Sequence, residues 1–240
     1  MSMPLKSIGI LLIISAIGLL IPYTILTIIF QYPQILREDT GVILTRFYEG
    51  GRPLIFTWFA FALTGLPLIP AYIGIGQWLE QRIPFIRTAT TLGVVGLVVQ
   101  MIGLLRWTFV VPMLASTYMQ TEDVSIKAAV IVAFNTLHQF AGVLLGEHLG
   151  QLLTILWTVM ISFAMKRSKW IPGWLAWLGV VASGIYLLAQ LELLATVMEG
   201  IPVWDLAGFI GSTLWLLWLI FVGIYCIRMD KIKPDSDHVI

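Results

Sequence analysis

The chain is short of charge, of cysteine and of histidine. Aspartate, glutamate, lysine and arginine together make up only 11% of its 240 residues, whereas a water-soluble domain carries about 25%. The chain therefore cannot cover itself with an ordinary solvated surface. Its one cysteine, Cys226, excludes an internal disulfide, and its three histidines are a thin supply of metal ligands.

The sequence also lacks the short motifs of several enzyme classes. It has no Walker-type loop, no dinucleotide fingerprint, no G-x-S-x-G elbow and no H-E-x-x-H helix. No basic cluster is dense enough to indicate nucleic-acid binding, so a nucleic acid is not expected as a partner. The cluster Lys166–Lys169 is explained as a topology signal.

Long apolar runs are what the chain has instead. Six of them each reach the roughly 20 helical residues that cross a hydrocarbon core of about 30 Å. The predicted spans are residues 7–30, 53–80, 88–115, 142–165, 171–197 and 206–227. The first run continues without a small-x-small cleavage site, so we interpret it as an uncleaved span. We predict one transmembrane domain over residues 1–240, an all-α bundle of six transmembrane helices in contact with the lipid bilayer.

Basic residues alternate between the two sets of span ends. One set of ends carries Lys6, Arg82, Arg87, Lys166, Arg167, Lys169, Arg228, Lys231 and Lys233. The other set carries only Arg37, Arg46, Arg52 and Lys127. Because basic segments are retained on the cytoplasmic side during insertion, we predict that both the N- and C-termini are cytoplasmic. The expected location is the bacterial cytoplasmic (inner) membrane, crossed six times.

Two further helices are predicted as interfacial helices on the outer side. The first covers residues 40–49, where Asp39 or Thr40 provides a cap and Gly50-Gly51 ends the helix. The second covers residues 126–141, since a single helix from there through the fourth span would reach about 60 Å, twice the hydrocarbon thickness. A bent or continuous rod through both segments remains open. Pro67 and Pro70 predict a kink in the second span.

A few ionisable residues fall at membrane depth, where they normally pair or face a cavity. Arg106 lies in the third span, Glu147 and His148 begin the fourth, and Glu192 ends the fifth. Their similar predicted depths favour a charge network or an anion-binding centre in which Arg106 meets one or both carboxylates. Polar residues that could share a ligand-binding cavity with this cluster are Gln151, Gln190, His138 and Asn135.

Small residues and tryptophans in the spans have simpler interpretations. Gly142, Gly146 and Gly150 form a small-xxx-small stripe that allows another helix to approach closely. For the deeper tryptophans Trp107, Trp157, Trp215 and Trp218, packing is the default explanation. The spacing of His138 and His148 differs from the i,i+4 pair of a helical zinc site. We therefore predict no metal and no cofactor, and no catalytic residue is assigned.

Several strings resemble a bacterial family of uncharacterised integral membrane proteins. These strings are YPQILRE at 32–38, RFYEGG at 46–51, LRWTFVVP at 105–112, LHQ at 137–139, GEHLG at 146–150 and WLAWLG at 174–179, together with Glu192. The resemblance covers nearly the whole chain. It implies a bacterial inner-membrane protein with six or seven spans, and it implies no activity, cofactor or catalytic residue.

Three functions remain open at this point. The leading hypothesis is a non-enzymatic bundle with an outward-facing polar pocket that binds a small or lipid-like ligand, as a transporter, sensor or accessory protein. The first alternative is a membrane-embedded hydrolase or transferase acting on lipid, with Glu147 as general base and His148 as metal ligand or acid. The second alternative is a structural subunit that docks on a membrane partner, or on a second copy, through Gly142, Gly146 and Gly150.

The metal question is open to direct measurement. We expect protein purified in mild detergent to contain no stoichiometric metal or pigment, because the chain offers so few ligands. Elemental analysis and an absorption spectrum check this, with His148→Ala measured beside the wild type. About one equivalent of metal that disappears in the variant would contradict the expectation and favour the enzyme alternative.

Overall fold

A computed structural model describes residues 3–80 and 82–232, and every regular element in that part of the chain is helical. Lys233, which contributes to the predicted topology signal, lies outside the described residues. In chain order the elements are α1 (Leu5–Phe30), a 3-10 turn (Gln34–Arg37), α2 (Thr40–Leu63), α3 (Leu68–Leu79), α4 (Ile86–Phe109), α5 (Val111–Gln120), α6 (Val124–Leu137), a π-helical segment (His138–Leu149), α7 (Gly150–Arg167), α8 (Gly173–Leu188), α9 (Gln190–Ala195) and α10 (Ala207–Ile232).

Six helical stretches are long and apolar enough to cross a membrane. They are Leu5–Phe30, Thr40–Leu79, Ile86–Gln120, Val124–Arg167, Gly173–Ala195 and Ala207–Asp230. The predicted all-α membrane protein with six transmembrane helices is thereby confirmed. The interfacial placement of the two outer helices and the cytoplasmic location of the termini stay predictions.

The second stretch is interrupted twice. Gly51 has φ 53° and ψ −148°, a left-handed conformation that glycine adopts at little cost, and it separates the first turns of α2 from the rest. Residues 64–67 then form turns between α2 and α3. Pro67 and Pro70 account for this second break, because proline removes a backbone donor and clashes with the preceding turn.

The third stretch contains a break that was not predicted. Val110 separates α4 from α5, and Pro112 occupies the first turn of α5. Pro112 has no backbone N–H to donate to the carbonyl of Thr108, and its ring clashes with that carbonyl. A continuous helix through this point is therefore unfavourable. The fifth stretch has a similar interruption at Ala189, between α8 and α9.

The fourth stretch is continuous from Val124 to Arg167. The sequence prediction placed a boundary between an outer helix and a span at Gly142. The structure has no break there and instead widens the helix into the π-helical segment His138–Leu149. Such segments are rare, usually limited to one turn, and frequent at functional sites.

The helices group into two compact units, which are described separately. Unit 1 comprises residues 3–17, 66–80, 82–97 and 151–232, and unit 2 comprises Gly18–Gly65 and Val98–Gly150. The prediction of a single domain over residues 1–240 stays a prediction.

Unit 1 packs around stacked aromatic rings. The Tyr72 and Trp157 rings are parallel, with centroids 3.5 Å apart, and Trp218 meets Trp157 edge-on at 5.8 Å. All three side chains are buried. The Nε1 of Trp215 donates to the Thr158 hydroxyl at 3.0 Å. Each of these tryptophans therefore has a packing role.

Unit 2 has a larger aromatic core. The Trp107 ring stacks on Trp58, at a centroid distance of 4.8 Å, and on Phe47, at 5.6 Å. Phe30 meets Trp107 edge-on at 5.7 Å and Phe134 lies 6.0 Å from it. Offset and edge-on ring pairs contribute about 0.5–1.5 kcal/mol each beyond their buried area. This cluster connects α1, α2, α4 and α6.

The stack in unit 1 yields a stability prediction. We expect Gly93→Ala to lower the free energy of unfolding by about 1–3 kcal/mol, because overpacking forces buried side chains to shift. A Cβ at Gly93 would lie 2.5 Å from Cδ1 of Trp157 and 2.9 Å from Cδ2 of Tyr72. Thermal unfolding in detergent is the measurement.

The matched control is Gly184→Ala in α8, where an added Cβ meets open space. That change should be neutral or stabilise by up to about 1 kcal/mol, because alanine favours the helix over glycine. Equal melting temperatures for the two variants would contradict the proposed packing constraint.

Candidate functional site

The buried charge of unit 2 is Arg106 on α4, of which only 6% is exposed. Its Nη1 donates to the carbonyl oxygen of Gly103 at 2.5 Å, and its Nη2 lies 3.4 Å from Nδ1 of His138. The guanidinium carbon lies 5.2 Å from the centroid of the Trp107 ring. Within the described residues, Nε of Arg106 has no hydrogen-bond partner. Ring contact and two hydrogen bonds thus compensate part of the cost of burying this cation.

His138 is the histidine that contacts the guanidinium. An arginine N–H only donates, so Nδ1 of His138 must accept, and the ring proton then lies on Nε2. The imidazole stacks on Phe134 with centroids 5.6 Å apart. The π-helical segment therefore begins with a side chain that is fixed on one side by an aromatic ring and on the other by Arg106.

The glycine stripe gives Arg106 its room. A Cβ at Gly142 would collide with the guanidinium, and a Cβ at Gly103 would lie 2.7 Å from Cα of Gly146. Small residues thus allow α4 and the π-helical segment to approach closely. From the same segment, the charge of Glu147 attracts the Arg106 guanidinium.

The other predicted residues of unit 2 lie along the same helical stretch. The Gly150 carbonyl accepts a hydrogen bond from Nε2 of Gln100 at 3.1 Å. Oδ1 of Asn135 accepts from the Thr40 hydroxyl at 2.6 Å, so Thr40 bonds to α6 and does not cap its own helix. His148 is half-buried on the π-helical segment.

Three predicted residues, Gln151, Gln190 and Glu192, belong to unit 1. Nε2 of Gln190 donates to Oε1 of Gln151 at 2.5 Å. Further along α7, Thr154 and Thr158 are buried, so the polar stripe of this helix faces protein. The structure therefore brings Arg106 and His138 together in unit 2, with Glu147 on the same π-helical segment as His138, and it joins Gln151 with Gln190 in unit 1.

An open groove of about 610 Å³ lies on the surface of unit 2. It is lined by Asp39, Gly41, Val42, Thr45, Arg46, Glu49, Tyr118 and Ile131. We call it the α2 groove, because the first turns of that helix supply most of the lining. Two carboxylates, one guanidinium and one phenol line it beside two aliphatic side chains.

Three local features keep the α2 groove polar. Asp39 occupies the N-cap position of α2, yet its carboxylate makes no capping hydrogen bond. Gly41 lets Tyr118 approach the helix, since a Cβ at Gly41 would lie 2.6 Å from the Tyr118 hydroxyl oxygen. Nη1 of Arg46 donates to Oε1 of Gln31 at 3.0 Å, which positions the guanidinium.

Sequence reasoning did not assign the α2 groove. The sequence did contain a pattern that indicates part of its lining. Val42, Arg46 and Glu49 are spaced four and three residues apart, so they share one face of the predicted outer helix. Tyr118 had no such signal, because only tertiary packing brings α5 against α2. Within the described residues, no group of three or more His, Cys, Asp or Glu side chains could hold a metal ion.

The fold and these sites define a multi-pass helical membrane protein. The chain belongs to the family described as domain of unknown function (DUF4386), whose model matches residues 7–223. The family resemblance stated from the sequence is thereby confirmed. Comparison with curated proteins and with solved structures gave no match.

The arrangement around Arg106 predicts an energetic coupling. We expect Arg106→Met to destabilise the protein by about 3 kcal/mol, because it leaves the Glu147 charge without its attracting cation. Adding Glu147→Gln should restore about 1 kcal/mol or more, since both charges are then absent. Thermal unfolding of the four proteins in this cycle measures the coupling.

Arg52→Met serves as the control, because Arg52 is an exposed cation of the same unit. Its effect should stay within about 0.5 kcal/mol, as for most surface substitutions. A double variant whose destabilisation equals the sum of the two single effects would reject the charge network.

Proposed function

We propose that the chain is a membrane protein that binds an amine-bearing, lipid-like amphiphile, such as phosphatidylethanolamine, in the α2 groove. The observation that carries the proposal is the lining of this groove, where two acidic side chains and one basic side chain lie beside aliphatic residues. This chemistry matches a zwitterionic headgroup joined to an apolar tail.

The charges support the headgroup assignment. Asp39 and Glu49 offer carboxylate oxygens to an ammonium group, and charge-assisted hydrogen bonds of this kind are the stronger ones. Arg46 uses one N–H on Gln31 and retains further donors for a phosphate. With two carboxylates against one guanidinium, the α2 groove favours a ligand that carries an amine over a purely anionic lipid.

The apolar lining supports the tail. Val42 and Ile131 lie in the same groove, and Val42 is 40% exposed. In a membrane protein, an exposed aliphatic side chain beside charged groups is typical of the zone where headgroups meet acyl chains.

Residues around Arg106 contact the buried face of α2, the helix that lines the groove. Phe47 lies on the buried face of α2 and stacks on Trp107, the residue next to Arg106. Thr40, at the start of α2, bonds to Asn135 on α6. We assign Arg106, Glu147 and His138 to positioning the helices that form the groove, and Asp39, Arg46, Glu49 and Tyr118 to contacting the ligand.

The charge bias of the sequence adds an orientation to the proposal. With both termini in the cytoplasm, Arg46 falls among the span ends that carry few basic residues, which is the outer side. The α2 groove would then receive its ligand from the outer leaflet of the cytoplasmic membrane.

Lipid retention tests this function. The protein is reconstituted in nanodiscs of equal phosphatidylethanolamine and phosphatidylglycerol, extracted in mild detergent, and its retained lipids are quantified by mass spectrometry. We expect the wild type to retain phosphatidylethanolamine in excess, and the double variant Asp39→Asn/Glu49→Gln to lose about threefold to tenfold of it, as expected when exposed ion pairs are removed.

Two further variants sharpen the result. Glu38→Gln/Glu122→Gln removes two exposed carboxylates of unit 2 that do not line the groove, and it should retain lipid like the wild type. Gly41→Ala changes no charge but forces Tyr118 away from α2, so it should also reduce retention. Unchanged retention in the Asp39/Glu49 variant would reject the proposal.

A further inference from the structure

A second groove, of about 420 Å³, lies on unit 1 and shares no residue with the α2 groove. It is lined by Phe85, Phe163, Ala164, Lys166 and Arg167. Three of these side chains are apolar and two are basic, and no acidic side chain is among them. We call it the basic groove.

Aromatic contacts hold the lysine of this groove in place. The Lys166 Nζ lies 4.8 Å from the centroid of the Trp177 ring. The Phe163 ring meets Trp177 edge-on at a centroid distance of 6.3 Å. Trp177 itself is 51% exposed. An ammonium group that lies over a half-exposed indole can still bind an anion on the side away from the ring. Tryptophan is also a residue that favours the membrane interface.

The basic residues of unit 1 differ in whether an acidic side chain pairs with them. Arg87 is paired with Glu80, with Nε 3.0 Å from Oε2. Within the described part of the chain, no acidic side chain pairs with Lys166 or Arg167. Both lie in the last turn of α7, where the helix dipole already compensates part of their charge. The basic groove therefore presents two cations that have no anionic side-chain partner among the described residues.

The apolar lining distinguishes a lipid from a free anion. Phe85 and Phe163 are 39% and 45% exposed, so a ligand in the groove contacts aromatic carbon as well as charge. A free phosphate gains nothing from those rings, whereas the acyl chain of a lipid makes van der Waals contact with them.

We propose that the basic groove binds the headgroup of an anionic phospholipid, with its phosphate on Lys166 and Arg167 and its acyl chain along Phe85 and Phe163. Recognition by two cations, with no carboxylate among the described residues that line the groove, selects net negative charge, which is the opposite preference to that of the α2 groove. Basic pockets beside transmembrane helices are a known setting for anionic lipid headgroups.

The nanodisc experiment with equal phosphatidylethanolamine and phosphatidylglycerol also tests this site, through the anionic lipid. We expect Lys166→Gln/Arg167→Gln to reduce the retained phosphatidylglycerol at least threefold relative to the wild type. Phe85→Ser should reduce it about twofold while leaving both cations in place, since van der Waals contact between the ring and the acyl chain is lost.

The matched control is Arg82→Gln/Arg228→Gln, which removes two exposed basic residues of the same unit that do not line the groove. It should retain phosphatidylglycerol like the wild type. An equal loss in the control would show general charge attraction and overturn the site, and so would unchanged retention in the Lys166/Arg167 variant. Unchanged retention in Phe85→Ser would overturn the assignment to a lipid.

The two proposed lipid sites can be rejected independently of each other. Asp39→Asn/Glu49→Gln should alter the phosphatidylethanolamine signal alone, and Lys166→Gln/Arg167→Gln the phosphatidylglycerol signal alone. Loss of both lipids in either variant would contradict the basic groove as a separate site.

Discussion

A hydrocarbon core offers no hydrogen-bonding partner, and the architecture of this chain follows from that constraint. Backbone amides must pair within the segment that carries them, so the six apolar runs form helices. The interruptions at Gly51, Val110 and Ala189 occur where glycine, proline or a short turn locally changes the pairing. The π-helical segment differs from these interruptions, because its backbone stays hydrogen-bonded within the helix. The wider π-helical turn lies beside Arg106.

Arg106 shows how an apolar interior accommodates a charge. The guanidinium donates hydrogen bonds to a carbonyl oxygen of its own helix and to a ring nitrogen of His138, and it contacts the Trp107 ring. The negative charge of Glu147 also stabilises it. Glycines rather than larger residues face it, so the helices can close around the cation. The same aromatic cluster supports α2, whose outer face carries the groove.

The two grooves differ in the charges that line them. Two carboxylates and one guanidinium line the α2 groove, whereas two cations and no carboxylate are among the described residues that line the basic groove. Both combine charge with exposed apolar side chains, the combination that a lipid headgroup and its first methylenes require. This pairing of charge with apolar side chains is the basis on which we propose membrane lipids as the ligands. The glycine stripe, in contrast, is occupied within the chain by α4 at Gly142 and Gly146.

The sequence by itself determined the six helices, because apolar length and proline position are local properties. It also singled out Arg106 and Glu147, since a charge inside a long apolar run is visible without any structure. It did not reveal Trp58 stacked on Trp107, Tyr118 against Gly41, or the α2 groove. Those contacts join residues far apart in the chain. Their geometry depends on helix crossings and on a π-helical widening that no local residue pattern encodes, so only the tertiary structure decided them.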